Sequence, residues 1–314
     1  MEDKKRNRHN EAYKSLFKTK DEFIYFLQKY IAEPWTGKIK TDDLEPVDTT
    51  FITEDLEDRY SDIIYKLRLE NNGEIYFYVL LELQSTVDYT MPFRLLEYMS
   101  ELLKTVFYNE DVNIRERKDY KLPAVVPVVF YNGTHSWNVV KSFKEYTENS
   151  GEYGNNLINF EYLFFDLNRA DNSFVSPSLK EPMATDCVFM LDKNSRVISD
   201  LEAAFEQIRN LADTITDDRA DIIANYLAYG LKNGAGLDDI HEIRNMLKGA
   251  EDTMIHPIAE LFDGAERRGL ERGREKGKLE DAIEMIKEGC TFDFIKRITK
   301  LPNEEIQRLM AQWG

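Results

Sequence analysis

Three polar residues interrupt the apolar part of the chain at a spacing that suits catalysis. Asp62 begins an alternating segment, Glu82 comes near the end of a long apolar run, and Gln84 follows two residues later. Because side chains alternate between the faces of a strand, Glu82 and Gln84 are expected on one face. The turn sequence Asn71-Asn72-Gly73 would fold the two segments into a hairpin, which brings Asp62 close to Glu82.

Two neighbouring carboxylates at the edge of an apolar sheet repel each other unless a proton or a cation lies between them. Mg²⁺ prefers such oxygen ligands and commonly binds one or two carboxylates together with water and a substrate phosphate. An ion held by Asp62 and Glu82 would polarise a phosphodiester and lower the pKa of a bound water. On spacing alone a structural interpretation also stands, in which Glu82 marks where its strand reaches solvent and Asp62 starts a strand.

The elements that must position these residues are predicted from hydrophobic periodicity. Residues 9–30 favour a helix with apolar residues at helical spacing, and the segment containing Pro34, Gly37 and Pro46 is typical of a loop. Strands are predicted at 62–69, 75–83, 124–131 and 162–167, with a helix over 91–108 whose apolar side is Phe93, Leu96, Met99, Leu103 and Val106. The order strand, helix, strand indicates a crossover and a parallel pair. The sequence therefore predicts an α/β fold with a mixed sheet and helices on its faces.

The character of the chain changes after the sheet. Helices are predicted over 201–212, 221–231 and 237–247, and Gly269, Gly273 and Gly277 then recur in a charged segment that suits either a linker helix or a close-packed helix face. The end of the chain favours a degenerate helix-turn-helix, interpreted as a docking or oligomerisation piece rather than a reader of DNA sequence. Its predicted core is Phe292, Ile295, Ile298, Leu301, Ile306 and Leu309. The predicted domains are 1–199, a helical extension 200–263, and a charged linker with a small helical segment 264–314.

Composition limits the classes of protein that fit. Hydrophobic residues make up 42% and charged residues 32%, an ordinary globular balance, and the net charge of −17 argues against a simple nucleic-acid coat protein. Cys187 and Cys290 are too few for a disulfide framework or a cysteine zinc cluster. Neither a membrane span nor a signal peptide is expected, which favours the cytoplasm. Positive charge concentrates near the two ends of the chain, in residues 4–20 and 267–278.

Several ordered motifs resemble the recombination-promoting nuclease family, also described as PD-(D/E)XK nuclease family transposases. The resemblance covers most of residues 8–290. The motifs are His9…Tyr13-Lys14…Phe17, Ser61-Asp62-Ile63-Ile64-Tyr65-Lys66, Leu81-Glu82-Leu83-Gln84-Ser85-Thr86, Met91-Pro92-Phe93-Arg94-Leu95-Leu96-Glu97-Tyr98-Met99, and Pro127-Val128-Val129-Phe130-Tyr131-Asn132-Gly133 followed by Trp137.

The resemblance implies a restriction-endonuclease-like fold and Mg²⁺-dependent cleavage of DNA, with Mn²⁺ as an alternative metal. The family's acid maps onto Asp62 and its Glu-x-Gln onto Glu82 and Gln84, with Asp62 and Glu82 as metal ligands. Gln84 stands where the wider superfamily has a lysine, and an amide can hold a water but supplies no positive charge. The chain departs from the family at Asn10, where a carboxylate is usual, which puts activity in doubt.

Five further residues have candidate supporting roles, namely His9, Glu11, Lys14, Lys66 and Arg94. Glu11 is a substitute for the missing carboxylate, and Lys14 or Lys66 is a candidate cation, although either lysine also fits an ordinary surface role. Arg94 would contact a phosphate or else pair with Glu97 or Glu101. His9 would touch the metal-bound water or DNA, or simply be solvated.

Together, these inferences predict a cytoplasmic, metal-dependent DNA endonuclease that is linked to recombination or mobile DNA. DNA is the expected partner, together with a second copy of the chain that associates through the C-terminal helices, and no membrane. The alternative is a catalytically weak or inactive nuclease fold that acts as a DNA-binding or oligomeric interaction module. The alternative is favoured by Asn10 and by the net charge, whereas the joint presence of Asp62, Glu82 and Gln84 favours the enzyme.

Overall fold

The computed structural model describes residues 11–47, 62–68, 74–82, 87–172, 177–178, 180–230, 240–248, 277–279 and 281–313. The chain divides into two compact units, Met1–Met254 and Ile255–Gly314. None of the helices in these ranges is both long enough and apolar enough to cross a membrane.

A five-stranded mixed sheet forms the centre of the first unit. Its order is β1 (Leu44–Val47), β2 (Asp62–Arg68), β3 (Glu74–Glu82), β4 (Ala124–Tyr131) and β5 (Leu163–Asp166). The β1–β2 and β2–β3 pairs are antiparallel, whereas the β3–β4 and β4–β5 pairs are parallel. The predicted hairpin, the crossover and the mixed sheet are confirmed, although the turn residues 71–73 lie outside the described residues.

The edge strand β1 corrects the sequence prediction of a loop. The segment is short and polar, and Pro46 argued against a strand. Pro46 lies opposite Tyr65 of β2, on a strand that has one neighbour among the strands the structure describes. An edge strand tolerates a missing N–H because one side of its backbone has no partner strand.

Helices cover both faces of the sheet. On one face lie α1 (residues 11–18) and α2 (Lys20–Phe26), which continues as a π-helical turn over Leu27–Ile31. On the other lies α3 (Met91–Asn109), whose buried residues include Met91, Leu95, Tyr98 and Leu102. The predicted apolar side of α3 was rotated from this stripe, since Phe93 is 46% exposed. Two overlapping stripes have helical spacing in this segment, and only one of them packs against the sheet.

The rest of the first unit is helical. Helix α4 (Ala184–Asn194) was not predicted, because it is buried along most of its length and carries no clear polar face. It is followed by α5 (Ile198–Arg209), α6 (Asp217–Asn225) with a π-helical turn over Tyr226–Gly230, and α7 (Ile240–Lys248), which confirm the predicted helices with shifted bounds. Short helical turns connect the larger elements at Thr36–Lys38, Thr41–Asp43, Val112–Arg115, Phe143–Tyr146, Ser150–Tyr153, Gly154–Asn156 and Ala212–Thr214.

The second unit contains α8 (residues 277–279 and 281–287), α9 (Phe292–Thr299) and α10 (Asn303–Trp313). Lys300 adopts a positive φ of 57° in the turn between α9 and α10, where no glycine is available. The core of this unit consists of Ala282, Ile286, Ile295, Leu301, Ile306 and Leu309. Four of the predicted core residues are confirmed and Phe292 packs partly against them, but Ile298 is wrong because it is 50% exposed.

Candidate active site

The hairpin places positions 62 and 82 at the same end of the sheet. Asp62, the first residue of β2, lies opposite Leu80, and Glu82 ends β3 two residues further along. Opposed residues of an antiparallel pair share a face, and so do residues two apart on a strand, so Asp62 and Glu82 occupy diagonal positions on one face. The Cα atoms at such positions are about 7–8 Å apart, a distance at which two carboxylates can bind the same ion.

Two of the predicted site residues lie outside the described part of the chain, namely His9 and Gln84. The side chains of Asp62 and Glu82 are likewise not described, so the metal site stays a prediction that rests on backbone register and donor chemistry. Among the described side chains, no group of three or more His, Cys, Asp and Glu residues could hold a metal ion.

The same face of the sheet continues across the parallel strands. Glu82 pairs in register with Tyr131 at the end of β4, and Tyr131 pairs with Asp166 at the end of β5. Tyr131 is fully buried and its hydroxyl donates to the carbonyl of His135 at 3.0 Å. The carboxyl ends of three strands therefore form one row, with an acidic residue at each outer position.

The start of α3, whose Met91 and Leu95 pack in one cluster with sheet residues of the same face, contains a buried cation. Arg94 is buried and forms an ion pair with Asp88. Asp88 also accepts from the Thr90 backbone N–H at 2.8 Å and from its hydroxyl at 2.6 Å. Burial opposes ionisation of Asp88, but the hydrogen bonds from Thr90 and Arg94 outweigh it and lower the pKa of this carboxyl.

The ion pair of Arg94 with Asp88 corrects the sequence analysis, which had considered only Glu97 and Glu101 as partners. Glu101 instead accepts from Lys104 at 2.6 Å. The loop residue Asp88 is six positions before Arg94, a spacing that no helical pairing rule suggests.

The other supporting candidates make local ion pairs. Lys14 Nζ lies 3.3 Å from Glu11 Oε1 on α1, an i,i+3 pair in which Glu11 is exposed. Lys66 Nζ lies 3.5 Å from Glu45 Oε2, across the β1–β2 pair. Because Lys66 is four residues along β2, its Cα is about 13 Å from that of Asp62. This geometry favours the surface interpretation of Lys66.

The first helix nevertheless reaches the site's end of the sheet, on the opposite face. The hydroxyl of Tyr13 donates to Asp192 Oδ2 at 2.6 Å, and Asn132 Nδ2 donates to the same oxygen at 2.8 Å. Asn132 directly follows β4, so this contact fixes α1 to the end of the strand that pairs with β3.

Sequence reasoning missed Asp166 and Arg169. Asp166 has a side chain that is 8% exposed, and burial raises its pKa despite the nearby Arg169, whose Nε lies 3.3 Å from Asp166 Oδ2. A signal was available, because Asp166, like Glu82, is an acid one residue before the end of a predicted strand. The strand order that aligns the two acids was not available from the sequence.

The sequence of this mixed α/β core, with acidic residues at one end of its sheet, matches a known family. The sequence profile of the family described as "Putative transposase, YhgA-like" matches residues 7–222, and the chain belongs to that family. The match includes the whole sheet and α1 to α5.

The chain is also similar to several curated proteins. The chain is 22% identical over 95% of its length to the Inactive recombination-promoting nuclease-like protein RpnE of Escherichia coli (strain K12), of which it covers 96%. It is 28% identical over 41% of its length to Recombination-promoting nuclease RpnD of Escherichia coli O157:H7 and to Recombination-promoting nuclease RpnA of strain K12. These matches span 46% of RpnD and 41% of RpnA, less than half of either relative. No solved structure matches the chain.

Proposed function

We propose that this protein is a metal-dependent DNA endonuclease that acts in recombination and has a restriction-endonuclease-like core. The observation that carries the proposal is the hairpin register, which puts Asp62 and Glu82 on one face at one end of the sheet. Relatives named recombination-promoting nucleases support the same activity. The free cysteines Cys187 and Cys290 agree with a cytoplasmic location.

The donor set fits a hard divalent cation. Asp62 and Glu82 would hold Mg²⁺, or Mn²⁺ in its place, and the oxygens of both residues are the ligand type that such ions prefer. When bound, the ion supplies a Lewis acid for the phosphodiester and acidifies a water molecule.

The chain's own residues have separate tasks in this proposal. Gln84 would orient the attacking water through its amide, without adding charge. Arg94 would contribute positive charge, and its ion pair with Asp88 fixes the start of α3. Glu11, Lys14 and His9 would act from α1 and the residues before it, as contacts to water or DNA.

Plasmid nicking tests the proposal directly. The wild-type protein is expected to nick supercoiled DNA with Mg²⁺, to stop when EDTA is added, and to recover with Mg²⁺ or Mn²⁺. Asp62→Ala should be inactive, whereas Asp119→Ala, which removes an exposed carboxylate paired with Arg117, should cleave like the wild type. Equal cleavage by Asp62→Ala and the wild type would refute the site.

A second candidate is a non-catalytic interaction protein. It is favoured by RpnE, which is named inactive and which the chain matches over 95% of its length, and by Asn10 in place of the family's carboxylate. DNA binding without nicking under any metal condition would favour this candidate over the endonuclease.

The C-terminal unit supports an additional proposal about assembly. Its own small core and the exposed Ile298 suit a piece that associates with a second copy of the chain. Deleting residues 265–314 should leave a folded nuclease unit with an altered assembly state by light scattering. An unchanged mass would remove this role.

A further inference from the structure

The turn after β5 is fixed in place from three sides. Asp166 Oδ1 accepts from the backbone N–H of Asn168 at 3.1 Å and of Arg169 at 3.3 Å. The amide of Asn168 donates to the carbonyls of Asn132 and Gly133, at 2.9 Å for Gly133. Lys193 of α4 donates to the carbonyl of Ala170. The turn is therefore tied to the end of β4 and to α4, and its backbone is rigidly presented.

Arg169 extends from this turn with its head group already oriented. Its Nε forms the ion pair with Asp166 Oδ2, and its Nη2 donates to Ser136 Oγ in the turn after β4. The Arg169 side chain is still 60% exposed. A guanidinium has five N–H donors, so these two contacts leave donors directed at solvent.

The position of Arg169 connects it to the candidate carboxylates. Asp166 lies in register with Tyr131 and, through it, with Glu82, on one face and at one end of the sheet. Two strand spacings separate the Cα positions of Glu82 and Asp166 by about 10 Å. Arg169 therefore lies two strands away from the carboxylate pair, a position that suits a flanking phosphate of the same DNA strand better than the phosphate that Asp62 and Glu82 would engage.

We infer that Arg169 binds a flanking phosphate of the DNA backbone and sets how the strand lies across the Asp62 and Glu82 end of the sheet. This inference rests on the proposed function. A guanidinium fork matches the geometry of phosphate oxygens, and an arginine held by Asp166 and Ser136 loses less conformational entropy on binding than a free one. In a chain with a net charge of −17, a fixed cation beside the acidic row also offsets local repulsion of DNA.

The test measures binding separately from cleavage. Asp62→Ala serves as the parent protein, and its affinity for a short labelled duplex is measured by fluorescence anisotropy over a series of salt concentrations with Ca²⁺ present. Adding Arg169→Ala should weaken binding several-fold and reduce the slope of log K against log salt by about 0.9, the change expected for one lost phosphate contact. Arg169→Lys should keep the slope, because the charge is kept, and lose part of the affinity.

The chain offers a closely matched control in Arg117. Its side chain is also 60% exposed and also pairs with an aspartate, Asp119, at 2.8 Å. It lies between α3 and the start of β4, at the opposite end of the parallel strands from Glu82. Arg117→Ala should therefore leave both the affinity and the salt slope of the parent unchanged.

The other possible outcomes contradict either the role of Arg169 or the proposed function. An unchanged slope in Arg169→Ala, with a parent that binds, overturns this inference and leaves the proposed function standing. Equal losses in Arg169→Ala and Arg117→Ala also overturn it, since they indicate a general charge effect. A parent that does not bind DNA refutes the proposed function, and this inference with it. Circular dichroism and the thermal midpoint of each variant establish that it is folded, and Arg169→Gln replaces Arg169→Ala if the latter is not.

Discussion

The two faces of the sheet in the first unit are built differently. The face under α1, α2 and α4, called here the packing face, is aromatic, with Phe130 and Phe165 of the sheet against Phe189 of α4 at ring distances of 5.3 and 5.6 Å. The face under α3, called here the site face, combines aliphatic residues such as Ile64 and Val129 with aromatic residues such as Tyr162. Positions 62, 82 and 166 all belong to the site face.

The packing face also buries charge, and its buried carboxylates are well supplied with donors. Glu22 accepts from the backbone N–H groups of Ala184 and Thr185 at 3.1 and 2.8 Å and from Arg219 Nε at 3.1 Å. Asp186 accepts from Tyr25, Lys29 and Tyr30 at 2.5–2.9 Å. A buried charge with this many donors joins elements together. Burial of an acid is therefore not by itself a sign of chemistry in this fold.

The largest expected effect is loss of cleavage from the site face without loss of stability. Glu82→Gln keeps the size of the side chain and removes its charge, so cleavage should fall by about 1000-fold or more, the upper range for one catalytic contact. The thermal midpoint should stay the same or rise, because repulsion between positions 62 and 82 is removed. Single-turnover cleavage and thermal unfolding measure the two quantities, and a lowered midpoint with full cleavage would reverse the assignment of the faces.

The sequence predicts much of the architecture on which this comparison depends. The bounds of β4 are predicted to the residue, because Pro123 and Asn132-Gly133 delimit an apolar run. Helix α4 is missed because its burial removes the polar face that periodicity detects. The edge strand β1 is missed because its pairing with β2 overrides its polar, proline-containing sequence.

The candidate site, like the fold, is predicted where it depends on local sequence and is missed where it depends on pairing between distant segments. Local information, a turn between two strands, predicts that Asp62 and Glu82 meet at one end of the hairpin. Asp166 and Arg169 join that end only through the order and register of β3, β4 and β5, which depend on contacts between residues far apart in the chain. Periodicity contains no information about that register.

The next effect belongs to the packing face and is expected in stability rather than in chemistry. Glu22 is 1% exposed, and Glu22→Ala leaves Arg219 and the first N–H groups of α4 without their carboxylate. Breaking a buried pair in this way should lower the free energy of unfolding by about 3–5 kcal/mol. Denaturant unfolding measures the loss, while cleavage per folded molecule should be unchanged.

Glu206→Ala is the matched control for Glu22→Ala. It removes an exposed carboxylate that lies 3.3 Å from Arg209 within α5, and such pairs contribute at most about 1 kcal/mol. A similar small loss for Glu22→Ala would mean that the Glu22 network adds little, and that aromatic packing alone accounts for the stability of this face.

The smallest expected effect is a dependence of stability on alkaline pH, to which both faces contribute through tyrosines. On the packing face, burial and the carboxylate of Asp186 raise the pKa of Tyr25 and Tyr30 well above the ordinary value. On the site face, burial raises the pKa of Tyr162 to about 12. The folded protein keeps these protons where the unfolded chain, with tyrosine pKa values of about 10, loses them. Their contribution to stability is therefore fully present below about pH 10 and is lost as the pH rises, by up to about 1.4 kcal/mol per pH unit for each tyrosine.

Urea unfolding between about pH 8 and about pH 11 should show this loss of stability with pH. Tyr25→Phe and Tyr162→Phe should each reduce the slope, and Tyr108→Phe, which changes an exposed tyrosine, is the control. If Tyr162→Phe reduced the slope and Tyr25→Phe did not, the pKa of Tyr25 would not be raised in the folded protein, and its contact with Asp186 on the packing face would be contradicted.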